Sequence, residues 1–249
     1  MNPSSALILV QQSIRSDHEY DYFAIHQERY RIILEKIQEI TGNRPCKILD
    51  IGCFPYHVGK ALELLGHDVY GIASSHEPVK NKNIAVVNIE TEKFPHKNNF
   101  FDLVLCNEVL EHLPQSPLLA FSEIKRVLKP KGFFMVTTPN IVRSINRFKL
   151  LFGKQIQYPI SVFFENEKKG NLIYHRHNRE YVLWEVKDLM SSTDFRIKES
   201  GYFISYTPNR KKRIDDRFLL ALVKWCNYTV MLFIPSLQDT LIVIGEKEK

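Results

Sequence analysis

The 249-residue sequence predicts an α/β fold, with seven strands in a mostly parallel sheet and helices on both of its faces. Three observations carry this expectation. Short apolar runs at Lys47–Ile51, Phe101–Cys106 and Phe133–Thr137 have the length and composition of strands buried on both faces of a parallel sheet. Stretches of helical periodicity separate them, the pattern of a chain that crosses over between parallel strands. Glycine and proline punctuate the junctions, at Gly42, Pro45, Gly66 and Pro117.

Residues 18–41 read as a helix, because Ile33, Ile37 and Ile40 recur at helical spacing and Gly42 supplies a stop. Pro45 leads into the first strand, Lys47–Ile51. A helix over Val58–Leu65 ends at Gly66. His67–Ile72, Ile84–Val87 and Phe101–Cys106 follow as the second, third and fourth strands. Ser116 and Pro117 suit the cap and first position of a helix reaching Leu128, with Phe121, Ile124 and Val127 on one face. Phe133–Thr137 is the fifth strand. Asn178 is expected to cap a further helix on which Val182, Val186 and Leu189 align, and Phe195–Ser200 and Leu241–Gly245 close the sheet.

The alternation breaks at Ile141–His177, where aromatics are scattered among basic residues without clear periodicity, as in segments that cover a site. The chain therefore divides into an N-terminal helical segment (1–44), a core (45–140), a lid-like insertion (141–177) and a C-terminal completion of the sheet with an apolar helix (178–249).

A net charge of +6 permits an acidic partner without demanding one, and the basic residues are too dispersed to point to nucleic acid. Cys46, Cys53, Cys106 and Cys226 form no CxxC or Cys/His spacing, which argues against a metal site and suits free thiols in a reducing cytoplasm. The apolar run Ala6–Val10 is too short for a signal-peptide core. Phe218–Ile234 is a longer run, interrupted by Lys224, Asn227 and Thr229 and preceded by the basic cluster Arg210–Arg213. It reads either as a core helix or as an interfacial helix, the latter giving peripheral membrane contact through 210–234.

Ile48–Cys53 (ILDIGC), Phe101–Leu113 (FDLVLCNEVLEHL) and Thr137–Asn140 (TTPN) together resemble the class I S-adenosylmethionine-dependent methyltransferases, within them the type 11 group. The resemblance covers roughly residues 45–200. It implies a Rossmann-like sheet, S-adenosylmethionine as cofactor, and methyl transfer. The acid at Asp50, with Gly52, Cys53 and Phe54 in the loop after it, is then expected to hold the methionine part of the cofactor. Tyr56 stands where relatives carry a glycine and is expected to add bulk there. The position of the acid that takes the ribose hydroxyls falls on Ala73, leaving Ser74, Ser75 or Glu77 to substitute. Two lost charge-assisted hydrogen bonds would weaken binding by about 2–4 kcal/mol, enough to turn micromolar affinity into nearly millimolar. Asn88 and its neighbour Ile89 fall on the adenine side. Asn107 and Glu108 fall on the methionine side, or are ordinary loop polarity.

For catalysis, His112 is either a general base or a residue that fixes its loop. His177, Arg179 and Tyr181 match a run that faces the acceptor in relatives, or else they pack a helix entry. The resemblance implies a small-molecule acceptor, a saccharide or lipid-linked molecule, methylated at oxygen. A catalytically degenerate binding protein of the same fold is the alternative. A nicotinamide dehydrogenase is disfavoured, since no GxGxxG follows a strand. Oligomeric state is not legible in the sequence.

Overall fold

The computed structural model describes residues 1–42, 44–74, 83–157, 159, 161, 176–206 and 218–248, with the backbone alone for 218–224. In chain order the elements are α1 (Pro3–Ser13), α2 (Asp17–Thr41), β1 (Lys47–Ile51), α3 (His57–Leu64), β2 (Asp68–Ala73), β3 (Ile84–Val86), β4 (Phe101–Asn107), a 3-10 turn (Leu110–His112), α4 (Leu118–Val127), β5 (Leu128–Pro139), α5 (Ser144–Leu151), α6 (Leu183–Ser192), β6 (Phe195–Phe203), α7 (Phe218–Phe233), a second 3-10 turn (Pro235–Leu237) and β7 (Thr240–Lys247).

One seven-stranded sheet has the order β3-β2-β1-β4-β5-β7-β6. β7 runs antiparallel to both β5 and β6, and the pairings from β3 through β5 are parallel. Alternate side chains of β1, β4 and β5 enter two separate cores, which is why those runs look continuously apolar. Leu49, Ile51, Val104, Phe134 and Val136 pack beneath α4 and α6. Ile48, Leu103, Leu105 and Met135 pack against α1, α2 and α3. The strand order reverses between β1 and β4, where ligands bind at the carboxyl ends of open α/β sheets.

Several boundaries differ from the sequence reading, each for a local reason. The Ala6–Val10 run lies in α1, which buries Ala6, Leu7 and Val10 and leaves Ile8 and Leu9 exposed, and whose N-terminus is capped by the Asn2 side chain accepting from the Ser5 amide at 2.8 Å. α4 starts at Leu118 with Pro117 as its cap residue. β5 reaches back to Leu128, which pairs with Phe101, so the Leu-Lys-Pro-Lys-Gly stretch belongs to the strand as an irregularity with Lys131 at φ +64°. Asn178 caps no helix. Its side-chain amide donates to the His112 carbonyl at 2.7 Å, and α6 begins later, at a Val182 amide that donates to Glu185 at 3.0 Å.

α5 occupies the start of the insertion; Tyr158, Phe163, Phe164, Tyr174 and His175 lie outside the described residues, as do Ser75, Glu77 and the Arg210–Arg213 cluster. Among the described residues no helix is long and apolar enough to cross a membrane.

Candidate active site

A cavity of about 80 Å³ opens at the carboxyl ends of β1 and β4. Asp50, Gly52, Cys53 and Phe54 line it from the β1 side, and Asn107 and Glu108 from the β4 side. Tyr22, Arg29 and Tyr30 close it from α2. Ala73, Ser74, Asn88 and Ile89 lie outside this cavity. Ala73 is buried at the end of β2, and Ile89 is part of the core with Val87 and Phe94. The Asn88 side-chain oxygen accepts from the Glu90 amide at 3.1 Å within its own turn.

The turn after β1 depends on Gly52. Its φ is +71°, and a Cβ there would lie 2.3 Å from Val109 Cγ2. The amides of Gly52 and Cys53 both donate to the Ile72 carbonyl, at 2.8 and 3.2 Å, which ties the loop to β2. Gly52→Ala therefore meets both backbone strain and a clash. It is expected to cost about 1–3 kcal/mol, read as a lower urea midpoint, and an unchanged midpoint would contradict this account of the loop.

Tyr56 does not fill the cavity. Its ring lies over Gly59, where a Cβ would approach it to 2.2 Å, and its hydroxyl donates to Glu63 at 2.9 Å. The bulk expected beside the ligand is absorbed by the glycine one helical turn further on. His57 is likewise structural: buried against the rings of Phe23 and Tyr30, with Nε2 3.0 Å from Glu19, it joins α3 to α2.

The electrostatics of the cavity are asymmetric. Burial raises the Asp50 carboxyl to about 7, and no described residue supplies a counter-charge or a hydrogen bond to it. Asn107 Nδ2 is a buried donor that also lacks a partner among the described residues. Glu108, held at φ +55°, accepts from Arg29 Nη1 at 3.0 Å and from Thr137 Oγ1 at 3.2 Å. An unpartnered acceptor and an unpartnered donor in one cavity suit a ligand end bearing both an ammonium and a carboxylate, the amino-acid end of S-adenosylmethionine. Arg29 and Tyr22 were not singled out in the sequence. The signal was there, since Tyr22, His26, Arg29 and Ile33 recur at helical spacing as a stripe that mixes polar and apolar groups.

The 3-10 turn after β4 leads to a second cavity. Glu111 is fully buried; its Oε2 accepts from Thr138 Oγ1 at 2.9 Å, and its Oε1 lies 3.8 Å from His112 Nε2. Burial, reinforced by the charge of Glu108, pushes the Glu111 carboxyl well above its usual range. The Glu111 carbonyl accepts from the Asn178 and Arg179 amides, at 2.7 and 3.2 Å, which docks the segment after residue 175 onto the turn. His112 Nδ1 faces the Arg176 carbonyl at 3.1 Å, and the His112 and His177 rings meet edge to face at 4.9 Å. Glu111, His112 and His177 offer ligand atoms within 4.8 Å of one another, a convergence invisible in sequence spacing.

His177 lines the second cavity, of about 280 Å³, together with Arg143, Lys149, Arg179 and Glu180. Its Nδ1 lies 3.1 Å from Glu180 Oε1, and Arg143 holds both oxygens of that carboxylate at 3.1 Å. Burial opposes ionisation of Glu180, but His177 and Arg143 outweigh it and hold the carboxyl below its usual range. Tyr181 lines neither cavity. It packs into the core with the Arg179 guanidinium 5.1 Å from its ring centre.

Residues 49–136 match the family model described as a methyltransferase domain. The chain is 24% identical over 201 residues to a ubiquinone biosynthesis O-methyltransferase of Shewanella sp. (strain ANA-3), covering 72% of this chain and 77% of that protein. It is 30% identical over 137 residues to the protein of the same name from Haemophilus ducreyi, covering 49% of this chain and 56% of that one. Among solved structures, a SAM-dependent methyltransferase of Archaeoglobus fulgidus superposes with a TM-score of 0.54 at 12% identity, covering 93% of this chain and all of that one. A Pyrococcus horikoshii protein does so with a TM-score of 0.55 at 17% identity, covering 94% and 93%. At these identities the structural likeness shows the shared fold.

Proposed function

We propose that this chain, which belongs to the class I S-adenosylmethionine-dependent methyltransferases of the type 11 group, transfers a methyl group to an oxygen of a small-molecule acceptor, saccharide or lipid-linked, held in the cavity beside His177. The observation that carries the reading is that His177, which lines the second cavity, packs on His112 of the short turn that follows Asn107 and Glu108 of the first. The relatives named as O-methyltransferases support oxygen as the accepting atom.

When bound, S-adenosylmethionine supplies an electrophilic methyl group on a sulfonium sulfur. Asp50 and Asn107 would take the ammonium and carboxylate of its amino-acid end, while Arg29 keeps Glu108 paired beside them. In the second cavity His177 Nδ1 lies 3.1 Å from ionised Glu180, which orients the imidazole. His177 would be the base that accepts the acceptor's hydroxyl proton, and the methyl group for that oxygen would come from the sulfonium. Glu180 stabilises the resulting imidazolium. His112 acts as a positioning residue, its Nδ1 donating to Arg176 and so fixing the segment that carries His177. The remaining task is alignment and exclusion of water, which needs no further catalytic group.

Calorimetry with S-adenosylmethionine, followed by transfer of a labelled methyl group to saccharide and lipid-linked hydroxyl compounds, tests this reading. Because Ala73 offers no ribose acceptor, a dissociation constant between about 0.1 and 1 mM is expected. No heat at millimolar cofactor would remove the reading. Label recovered only on nitrogen acceptors would overturn the choice of oxygen.

A further inference from the structure

Two helices on one side of the molecule leave an apolar face that no described residue covers. α5 presents Phe148, Leu151 and Phe152, the last two 76% and 73% exposed. From its middle onward α7 adds Trp225, Leu232 and Phe233, the last 81% exposed. The helices meet where Ser144 Oγ donates to Met231 Sδ at 3.6 Å, and Arg147 Nη2 of α5 donates to Ser236 Oγ in the turn after α7 at 3.4 Å. Ser144, Phe148 and Leu151 are spaced i, i+4 and i+7, so an apolar row starts at that contact and runs outward along α5. Single exposed apolar residues need no explanation; large ones clustered on two touching helices do.

Charge identifies what would cover this face. Beyond Arg143, which Glu180 neutralises, residues 141–157 carry Arg147, Lys149 and Lys154 and no acid, and residues 218–238 carry Lys224 and no acid. A second copy of the chain would set like charges against one another across a two-fold contact. An anionic lipid surface complements both features at once, taking the aromatic and aliphatic side chains at its headgroup boundary and the lysines and arginines at its phosphates. We propose that the α5–α7 face docks peripherally on a bilayer containing anionic lipids. Lys149 of α5 also lines the second cavity, so the docked face lies beside that cavity whatever acceptor it takes. Docking is thus independent of the methyl-transfer reading.

Flotation of the full chain with phosphatidylcholine vesicles, with and without phosphatidylglycerol, tests the proposal. Recovery with phosphatidylglycerol is expected to exceed that with phosphatidylcholine alone by at least about tenfold and to fall as salt is raised. Leu151→Ser combined with Phe152→Ser is expected to lower recovery about tenfold with an unchanged circular dichroism spectrum. Phe233→Ser on the other helix lowers it independently, and Lys154→Glu lowers it on the anionic vesicles. A wild-type protein that floats with neither vesicle overturns the proposal, and so does equal flotation of all variants. A wild-type dimer that the double substitution converts to monomer, with no vesicle binding, assigns the face to a second copy and also overturns it.

Discussion

Asp50→Asn is expected to stabilise the protein while costing it most of its affinity for S-adenosylmethionine. The Asp50 carboxyl titrates near 7 in the folded chain against an ordinary value of 3.8, because it is buried without a partner. The folded state therefore holds a proton that the unfolded chain has already lost between those two values. Stability falls as pH rises through that window, by at most about 4 kcal/mol once pH exceeds the folded value. Asparagine carries no charge and escapes this penalty, so its melting temperature should exceed wild type at pH 8 and approach it near pH 4. On the proposed placement, the same substitution removes the countercharge for the cofactor's ammonium, an interaction of about 1.5–3 kcal/mol, or roughly 10–150-fold in dissociation constant. Wild-type binding should tighten from pH 6 to pH 8 and release protons on mixing in calorimetry; the variant should do neither. A variant that is less stable at pH 8 would show that Asp50 has a partner in the folded state, and one that binds as well as wild type would show that Asp50 does not hold the cofactor.

His177→Gln is expected to lower kcat by about 10²–10⁴-fold, the range for removing a general base. The cofactor dissociation constant should stay within about twofold, because His177 lines the other cavity. Glu180→Gln leaves the imidazole in place but removes the charge that stabilises its protonated form, and a smaller loss of kcat is expected. Rates and calorimetry on both variants decide the matter. If His177→Gln retains full kcat, the base lies elsewhere. If it loses cofactor binding in proportion to rate, His177 is structural.

The central strands were legible because each is a short apolar run whose two faces both meet a core; Asp50, Gly52, Asn107 and Glu108 were grouped by the resemblance, and the strand order that sets β1 beside β4 lines one cavity with them. Caps were less legible. Asn178 has the residue type of a helix cap, but its amide serves the His112 carbonyl, a partner 66 positions away that no local pattern announces. Tyr56 shows the same limit from the other side. Its size was visible, but the space above Gly59 that receives it exists only once α3 has formed. The convergence of Glu111 and His112 with His177 needs the segment after residue 175 to return to the 3-10 turn through the Glu111 carbonyl, a contact between backbone groups that side-chain identity does not encode.

The wall that α2 gives to the first cavity bears on how natural variation in this chain is to be interpreted. The family match begins at residue 49 and ends at 136, whereas Tyr22, Arg29 and Tyr30 precede it and His177 follows it. A survey of alleles weighted by the matched region would class a change at Arg29 as peripheral and tolerable. Such an allele would strand Glu108 without its cation beside the first cavity while leaving the family signature intact, so on the proposed function its defect would be in cofactor binding.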